Sequence, residues 1–364
     1  MPNFSAISPH AFLAGLYEAQ DVLAGCDDVD IIRVETSRMF PLGKKMLWRL
    51  AYLDVSQKLV SINPGLRSVR LTKDYELFML VCPFLRDVWY ANAIEGWRDH
   101  CRTSVCWIHE LWISQIPHLQ YLFPLLERFD HVIIGMDGSG KALSDAVGRR
   151  CYETPFGVDA IRFSPYPEPP SRVIDVYSVG RRWEGIHQRL RESAGKCFYI
   201  YDTLVNQSDG VTHDHSQHRD LYANIAKRSR FFMVAPGKMN CPEETQGQAA
   251  FGTRYFEGTA AGAVLLGQAP DSDSFRRYFD WPDAVIDIQP DGSDTVETIS
   301  RLSADPERLR EISCRNVEES LRRHDWVYRW KEILGIAGLK PMPGMQAREK
   351  RLGELAALVR DKGR

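Results

Sequence analysis

Short apolar runs alternate with amphipathic helical stretches along most of this chain of 364 residues. That alternation is the strongest constraint on its fold. In the first half the runs are "DIIRVE" (30–35), "YELFMLVC" (75–82), "TSVCWIHE" (103–110) and "HVIIG" (131–135). In the second half they are "RVIDVYSVG" (172–180), "KCFYIYD" (196–202), "RFFMVAPG" (230–237), "GAVLLG" (262–267) and "AVIDIQ" (284–289). Each has the length of a strand, and helical patterns fall between them. Strands and helices in this rhythm imply parallel sheets built from βαβ units. One helix is sharply marked in "SADPERLREISCRNVEESLRRH". Asp305 stands at its N-cap and Pro306 in its first turn, while Leu309, Ile312, Val317 and Leu321 give it an apolar stripe.

The proline-rich stretch "PFGVDAIRFSPYPEPPSR" (155–172) interrupts the alternation. Proline lacks the N–H that a sheet or helix needs, so this stretch reads as a linker. The chain is also long for one core. The expected division is an N-terminal α/β domain over 1–155, a C-terminal α/β domain over 156–322, and closing helices over 323–364 packed back on the first domain. Two such domains facing each other place ligands in the cleft, at the carboxyl ends of the strands. The chain opens with a helix-like segment instead of a strand and a glycine-rich loop, so its first unit reads as abbreviated.

Charge and composition exclude several functions. The formal net charge is −2 and the basic residues are spread out, which argues against a nucleic-acid partner held by phosphate neutralisation. No apolar run approaches the roughly 18 residues of a membrane span. The N-terminal "MPNFSAISPHAFLAGLYEAQ" has no basic region followed by an apolar core, so the protein is expected in the cytoplasm. None of the eight cysteines forms a C-x-x-C pair, which suits reduced thiols and leaves no zinc site.

A phosphate-binding loop is the first motif to weigh. In "HVIIGMDGSGKALSDA" (131–146), Gly135, Gly140 and Lys141 have P-loop spacing. The next position should carry the hydroxyl that binds Mg²⁺, and it is Ala142. A strand, a glycine turn and a surface helix account for the stretch equally. "THDHSQH" groups His213, His215 and His218, and "PDSDSF" places Asp271 and Asp273 two apart. Both read as solvated turns and not as metal sites.

The most informative stretch is "FGTRYFEGTAAGAVLLG" (251–267): a glycine turn, a short helix, a second glycine and a buried strand. A helix starting at Gly252 and Thr253 offers free N–H groups to an anion. Arg254 adds a formal charge in the first turn, and Glu257 follows three residues later on the same face. The arrangement suits a nucleoside diphosphate, with phosphates on the backbone and Arg254 and ribose hydroxyls on Glu257. A surface helix carrying an Arg254–Glu257 pair is the alternative.

This stretch resembles the donor-site signature of GT-B glycosyltransferases, in particular the retaining group-one (family 4-like) type. That pattern is roughly E-x-F-G-x-x-x-x-E-A-x-A-x-G-x-P-V, and Phe251, Gly252, Glu257, Ala260 and Gly262 fall on it. "PFGVDAIRFSP" is similar to the family's interdomain segment, and "DVYSVGRRWEGIHQRL" to its first C-terminal strand ending in Gly-Arg. "WIHELW" is similar to its histidine-bearing strand end, and "DPERLREISCRNVEESLRRHDWVYRWKEIL" to its closing helices. The resemblance covers about residues 100 to 335. It departs at Ala249, where the family has its first glutamate, and near Glu184, where the family has a phosphate-binding lysine. Glu243, Glu244 or Gln248 could reach the space of that first glutamate.

The resemblance implies two Rossmann-like domains facing a cleft and a hexosyltransferase-like enzyme acting on a nucleotide diphosphate-sugar, with UDP or GDP as the carrier. The donor would be held by Arg181, Lys238, Gly252, Thr253, Arg254 and Glu257, without a metal or other cofactor. His109 and Glu110 would serve the reacting groups, since a histidine near neutral pKa can hold a sugar and assist proton loss. The acceptor would be a glycan, a lipid-linked molecule or a small molecule, compatible with peripheral contact with the inner face of a membrane. A GT-B binding module without catalysis, and a P-loop-type nucleotidase using Lys141, are the alternatives.

Overall fold

The computed structural model describes residues 1–52, 57–203 and 210–363. Its frame is two sheets of parallel main strands. The first holds β1 (Tyr75–Phe84), β2 (Cys101–Glu110), β3 (His131–Ile134) and β4 (Tyr152–Glu153), paired in that order. The second holds β5 (Ile174–Val179), β6 (Tyr199–Asp202), β7 (Ser229–Val234), β8 (Val264–Gly267) and β9 (Ile286–Asp287), in the order β6-β5-β7-β8-β9. Residues of the inner strands, such as Val105–Ile108 of β2, are fully buried. Helices cover both faces of a parallel sheet, which is why these strands read as continuous apolar runs.

The order of the second sheet reverses at β5. The chain runs outward from β5 to β6, then returns on the other side to β7. The crevice beyond the carboxyl ends of β5 and β7 is therefore the topological switch point, where α/β sheets receive ligands.

The opening unit is short. Of the expected 30–35 strand only Ile32–Arg33 pairs, in parallel with Pro2–Asn3. Helix α1 (Ala14–Ala24) connects those two pieces. It is buried at nearly every position, because it packs on α4 (His215–Lys227) of the second half and on α7 (Trp326–Ile336).

The chain passes between the halves twice, and the two passages hold each other. Val158 N–H donates to the His324 carbonyl (3.0 Å), and Trp326 N–H donates to the Val158 carbonyl (3.1 Å). A Cβ on Gly157 would lie 2.8 Å from the Trp326 ring, so this close approach needs glycine. Beyond the passage, Trp326 and Trp330 set their edges against Trp107 of β2, at centroid distances of 6.0 and 5.2 Å. These buried indoles anchor α7 to the first half.

Of the closing helices expected on the first domain, the last packs chiefly on the second half, while its start at Gly344 meets the Cys26 backbone of the first. Helix α8 (Pro343–Gly363) lies along α6 (Pro306–Arg323) in the second half. Met345, Leu352, Leu355, Ala356 and Val359 form its buried face. Its Arg348 binds Asp159 (2.6 Å) and Asp325 (2.8 Å), one from each passage. The start of α6 matches its sequence marks: the Asp305 carboxylate accepts the Arg308 N–H at 3.0 Å.

Candidate active site in the interdomain cleft

The carboxyl ends of both sheets open into one cleft with a volume of about 690 Å³. The structure brings His109, Glu110, Arg181, Lys238, Gly252, Thr253, Arg254 and Glu257 together in its walls. Arg181 follows the end of β5, Lys238 follows β7, and His109 and Glu110 end β2. Helix α5 (Thr253–Ala260) points its N-terminus into the same space.

The start of α5 is built to receive an anion. Gly252 is its N-cap and has no side chain to cap it, and no side chain among the described residues bonds its first N–H groups. Arg254 does not pair with Glu257. Its Nη1 donates to the Arg181 carbonyl at 3.2 Å instead. Gly180 allows this approach: at φ +80° it has the left-handed conformation, and a Cβ there would lie 2.7 Å from Arg254 Nη2. Arg181 Nη1 donates to Cys241 Sγ at 3.3 Å. Among the described residues, neither Arg181 nor Arg254 makes a salt bridge. Two guanidinium groups and an uncapped helix start thus face one wall of the cleft.

Lys238 was expected to supply a second cation beside Arg181. It is already paired, 2.6 Å from Glu244 Oε2 and 3.6 Å from Glu110 Oε1, over the Trp112 ring. It therefore bridges the two halves, because Glu110 belongs to the first and Lys238 to the second. Glu110 also accepts the Trp112 Nε1–H at 2.8 Å.

Glu257 corrects the sequence reading most. It was expected to turn free oxygens toward a ribose. It is buried, with Oε1 accepting from Arg219 Nη1 at 2.5 Å and Oε2 from the Tyr222 hydroxyl at 2.8 Å. Arg219 also donates through Nε (2.8 Å) and Nη2 (3.1 Å) to the fully buried Glu18 of α1. Glu18 further accepts from Asp159 N–H (2.9 Å) and Trp326 Nε1–H (3.0 Å). Burial alone would raise the Glu18 carboxyl, but the Arg219 charge and hydrogen bonds bring it below its ordinary value. Burial opposes the charge on Arg219 as well, yet the two carboxylates hold it firmly cationic.

His109 is also different from expectation. Trp107, Phe156 and Trp326 surround its ring at 4.4, 5.1 and 6.3 Å. Burial pushes its pKa down to about 3, so the imidazole is neutral at physiological pH. Its Nε2 is buried and has no hydrogen-bond partner among the described residues. The group is suited to a neutral hydrogen bond with a ligand and not to storing a proton.

The residues weighed and set aside find ordinary roles. Gly140 N–H, at the start of helix α3 (Ser139–Val147), donates to Glu153 Oε1 at 2.7 Å. A protein carboxylate thus fills the place a P-loop keeps for phosphate, and exposed Lys141 pairs with Asp145 at 3.0 Å. Asp271 and Asp273 both bind Arg276, at 2.5 and 2.6 Å. Asp214 caps α4, and His215 bonds Asp21 at 2.7 Å. Gln248 turns to the first half, donating to the Asp137 carbonyl (2.8 Å) and accepting from Ile113 N–H (2.9 Å). Among the described residues, one group has metal-ligand spacing, Cys241 with Glu243 and Glu244. It lies beside Arg181 and Lys238, which already bond Cys241 and Glu244.

Sequence reasoning missed Arg219, Tyr222 and Glu18, and on the first half Arg86 and His118, which line the cleft. Glu18 left one signal, a carboxylate between the apolar positions Leu16, Tyr17 and Ala19 of "AGLYEAQDVLA". The others left none, since their partners are distant in sequence.

Residues 171–335 match the family model described as glycosyl transferase-like, so this segment is a glycosyl transferase-like domain. No curated protein sequence matches the chain. One similar solved structure is an α-glucosyltransferase in complex with UDP and a 13-mer DNA containing an HMU base. It is 12% identical with a TM-score of 0.52, over 91% of this chain and 96% of that one. Another is a glycosyltransferase from Rickettsia africae ESF-5, 11% identical with a TM-score of 0.44, over 93% of this chain and 96% of that one. The fold is GT-B.

Proposed function

We propose that this chain, a glycosyltransferase of the GT-B fold, moves a sugar from a nucleoside diphosphate carrier to an acceptor hydroxyl without a metal ion. One observation carries the reading. Two guanidinium groups that have no carboxylate partner among the described residues meet the start of α5, capped only by Gly252, at the switch point of the second sheet. A planar guanidinium binds two phosphate oxygens at once, and the helix start adds N–H donors and positive potential.

The bond from the sugar's anomeric carbon to the β-phosphate oxygen breaks, and one to the acceptor oxygen forms. The diphosphate leaves with an added negative charge, which Arg181, Arg254 and the N–H groups of Thr253 and Arg254 stabilise. Lys238 stands next to this site, held by Glu244 and Glu110. On the opposite wall the neutral His109 lines the cleft on the sugar side. Glu110, at the end of β2, receives the acceptor's proton. Glu257 acts at one remove, holding Arg219 and Tyr222 behind the start of α5.

Uridine and guanosine diphosphates are the carriers to test first, and the neighbouring α-glucosyltransferase was solved with UDP. Calorimetric titration of both into the wild type and Arg254→Ala tests the reading. Loss of charge-assisted bonds worth about 1.5–3 kcal/mol should weaken binding roughly 10- to 150-fold. Equal affinities in the two proteins would remove Arg254 from the site. A wild type that binds nucleoside diphosphate but transfers no sugar from any of a panel of nucleotide-sugars would favour the binding-module alternative.

A further inference from the structure

Phe84 closes β1 as Glu110 closes β2, and the two are partners in the register of the first sheet. Partners on adjacent strands point to the same face, with their backbones about 4.8 Å apart. Phe84 therefore stands beside the carboxylate assigned above to the acceptor's proton, and both line the cleft. Arg86 follows two residues later and lays its guanidinium over the Phe84 ring, 4.9 Å from the centroid. It is exposed on the same wall, and among the described residues it makes no salt bridge. The neighbouring acid does not pair with it. Asp87 is buried and turns back to accept the Phe84 N–H at 3.1 Å. Its charge also faces Lys44 of helix α2 (Phe40–Tyr52), which donates to the Tyr90 hydroxyl at 2.7 Å.

Leu85, Leu119 and Phe12 continue this wall. Phe12 is 46% exposed, yet it is held in place. Its ring stacks on His10 at 5.3 Å. Just before it, Ala11 N–H donates to the Gly210 carbonyl at 2.9 Å, and the Pro9 carbonyl accepts the Thr212 N–H at 2.7 Å. An aromatic ring fixed on a cleft wall and left in water is surface kept for a ligand.

The wall selects by chemistry. A free sugar would bury hydroxyls against Phe12, Phe84, Leu85 and Leu119, whose side chains offer them no partner. An apolar ring loses nothing there and gains the burial of its own surface. Arg86 adds a second requirement, because a guanidinium on an apolar wall favours a ligand that carries an anion. Carboxylate and phosphate satisfy it alike, since its fork takes two oxygens of either.

We propose that the acceptor is an alcohol with an apolar, ring-sized body and an anionic group. Its hydroxyl lies at Glu110, its body on Phe84 and Phe12, and its anion on Arg86. Transfer then proceeds as above, with the hydroxyl proton passing to Glu110. The binding stands on the wall itself, and only the word acceptor rests on the sugar-transfer reading. Calorimetry of the full chain tests it with four probes: 4-(hydroxymethyl)benzoate, 4-(hydroxymethyl)phenyl phosphate, the methyl ester of the first, and glucose 6-phosphate. At least one of the two aromatic anions should bind, and the tighter one identifies the anion. The ester lacks the charge and glucose 6-phosphate lacks the apolar body. Each should bind at least about tenfold more weakly than the tighter aromatic anion. Arg86→Gln should lose at least about tenfold for that anion and keep its affinity for the ester. Phe12→Ser should weaken both. Both side chains are exposed, so the two variants should keep the wild-type melting temperature. A wild type that takes none of the four probes overturns the proposal. So does an ester or glucose 6-phosphate that binds as tightly as the aromatic anions, or an Arg86→Gln protein that holds them as the wild type does. A wild type that binds an aromatic anion but no nucleoside diphosphate supports the site and sinks only the donor reading.

Discussion

Substitutions in the buried Glu18–Arg219–Glu257 group should separate structural support from ligand contact. Arg219 is the sole cation touching both carboxylates among the described residues, through Nε and Nη2 to Glu18 and Nη1 to Glu257. Arg219→Met leaves Glu257 buried without its cation and Glu18 with Arg162 alone, at 3.3 Å. Breaking one buried pair from one side costs about 3–5 kcal/mol, so at least that loss of stability is expected. Glu257→Gln acts differently. It leaves Arg219 paired with Glu18, which Arg162 also meets at 3.3 Å, and the amide oxygen can still accept from Arg219. The loss is one charge-assisted bond weakened to a neutral one, about 1–2 kcal/mol. Tyr222→Phe removes the remaining bond at 2.8 Å and should cost about 1 kcal/mol. Urea denaturation of the three variants gives the ranking, and nucleoside diphosphate titration gives the second axis. The expected order of instability is Arg219→Met, then Glu257→Gln, then Tyr222→Phe, with less than about tenfold loss of affinity for Glu257→Gln. A Glu257→Gln protein as stable as the wild type but at least about 30-fold weaker for diphosphate would refute the reasoning, and Glu257 would then be a direct ligand.

Glu110→Gln should lower kcat while nucleoside diphosphate affinity stays within about threefold, measured by steady-state kinetics beside calorimetry; an unchanged kcat removes the proposed proton acceptor. Because burial depresses the pKa of His109 to about 3, it is neutral when folded and protonates near its ordinary value when unfolded. Its contribution to stability is therefore present above about pH 6.5 and lost as pH falls, by about 1.4 kcal/mol per pH unit. Denaturation at pH 7 and pH 5 should show a smaller difference in His109→Gln, and an equal one contradicts the assignment. Gly180→Ala should cost about 1–2 kcal/mol for the left-handed backbone and weaken diphosphate binding by displacing Arg254, seen in melting and titration together. EDTA should leave transfer unchanged; activity lost to EDTA and restored by Mn²⁺ would turn attention to Cys241, Glu243 and Glu244.

The sequence by itself determined the elements and their order. Apolar runs of strand length mark every main strand except the two-residue β4, because both faces of a parallel sheet are covered, so the pattern needs no knowledge of neighbours. Asp305 and Pro306 mark the start of α6 because capping is a contact over three residues. Gly252, Arg254 and Glu257 were legible as one motif, and Arg181, Lys238, His109 and Glu110 as strand ends, because a strand's carboxyl end is a local property. What those groups bond was decided by the tertiary structure alone. Glu257 and Arg254 lie three residues apart, yet Arg254 is drawn to the carbonyl after Gly180, and Glu257 to an arginine on another helix. Arg219 meets Glu18 across 201 positions of sequence. Burial then set the protonation of His109, whose neighbours Phe156 and Trp326 come from the two passages between the halves. The two-residue strand Ile32–Arg33 shows the same limit. Its apolar run is as plain as the others, but its pairing ends where its partner Pro2–Asn3 ends, and the length of a partner is written elsewhere in the chain.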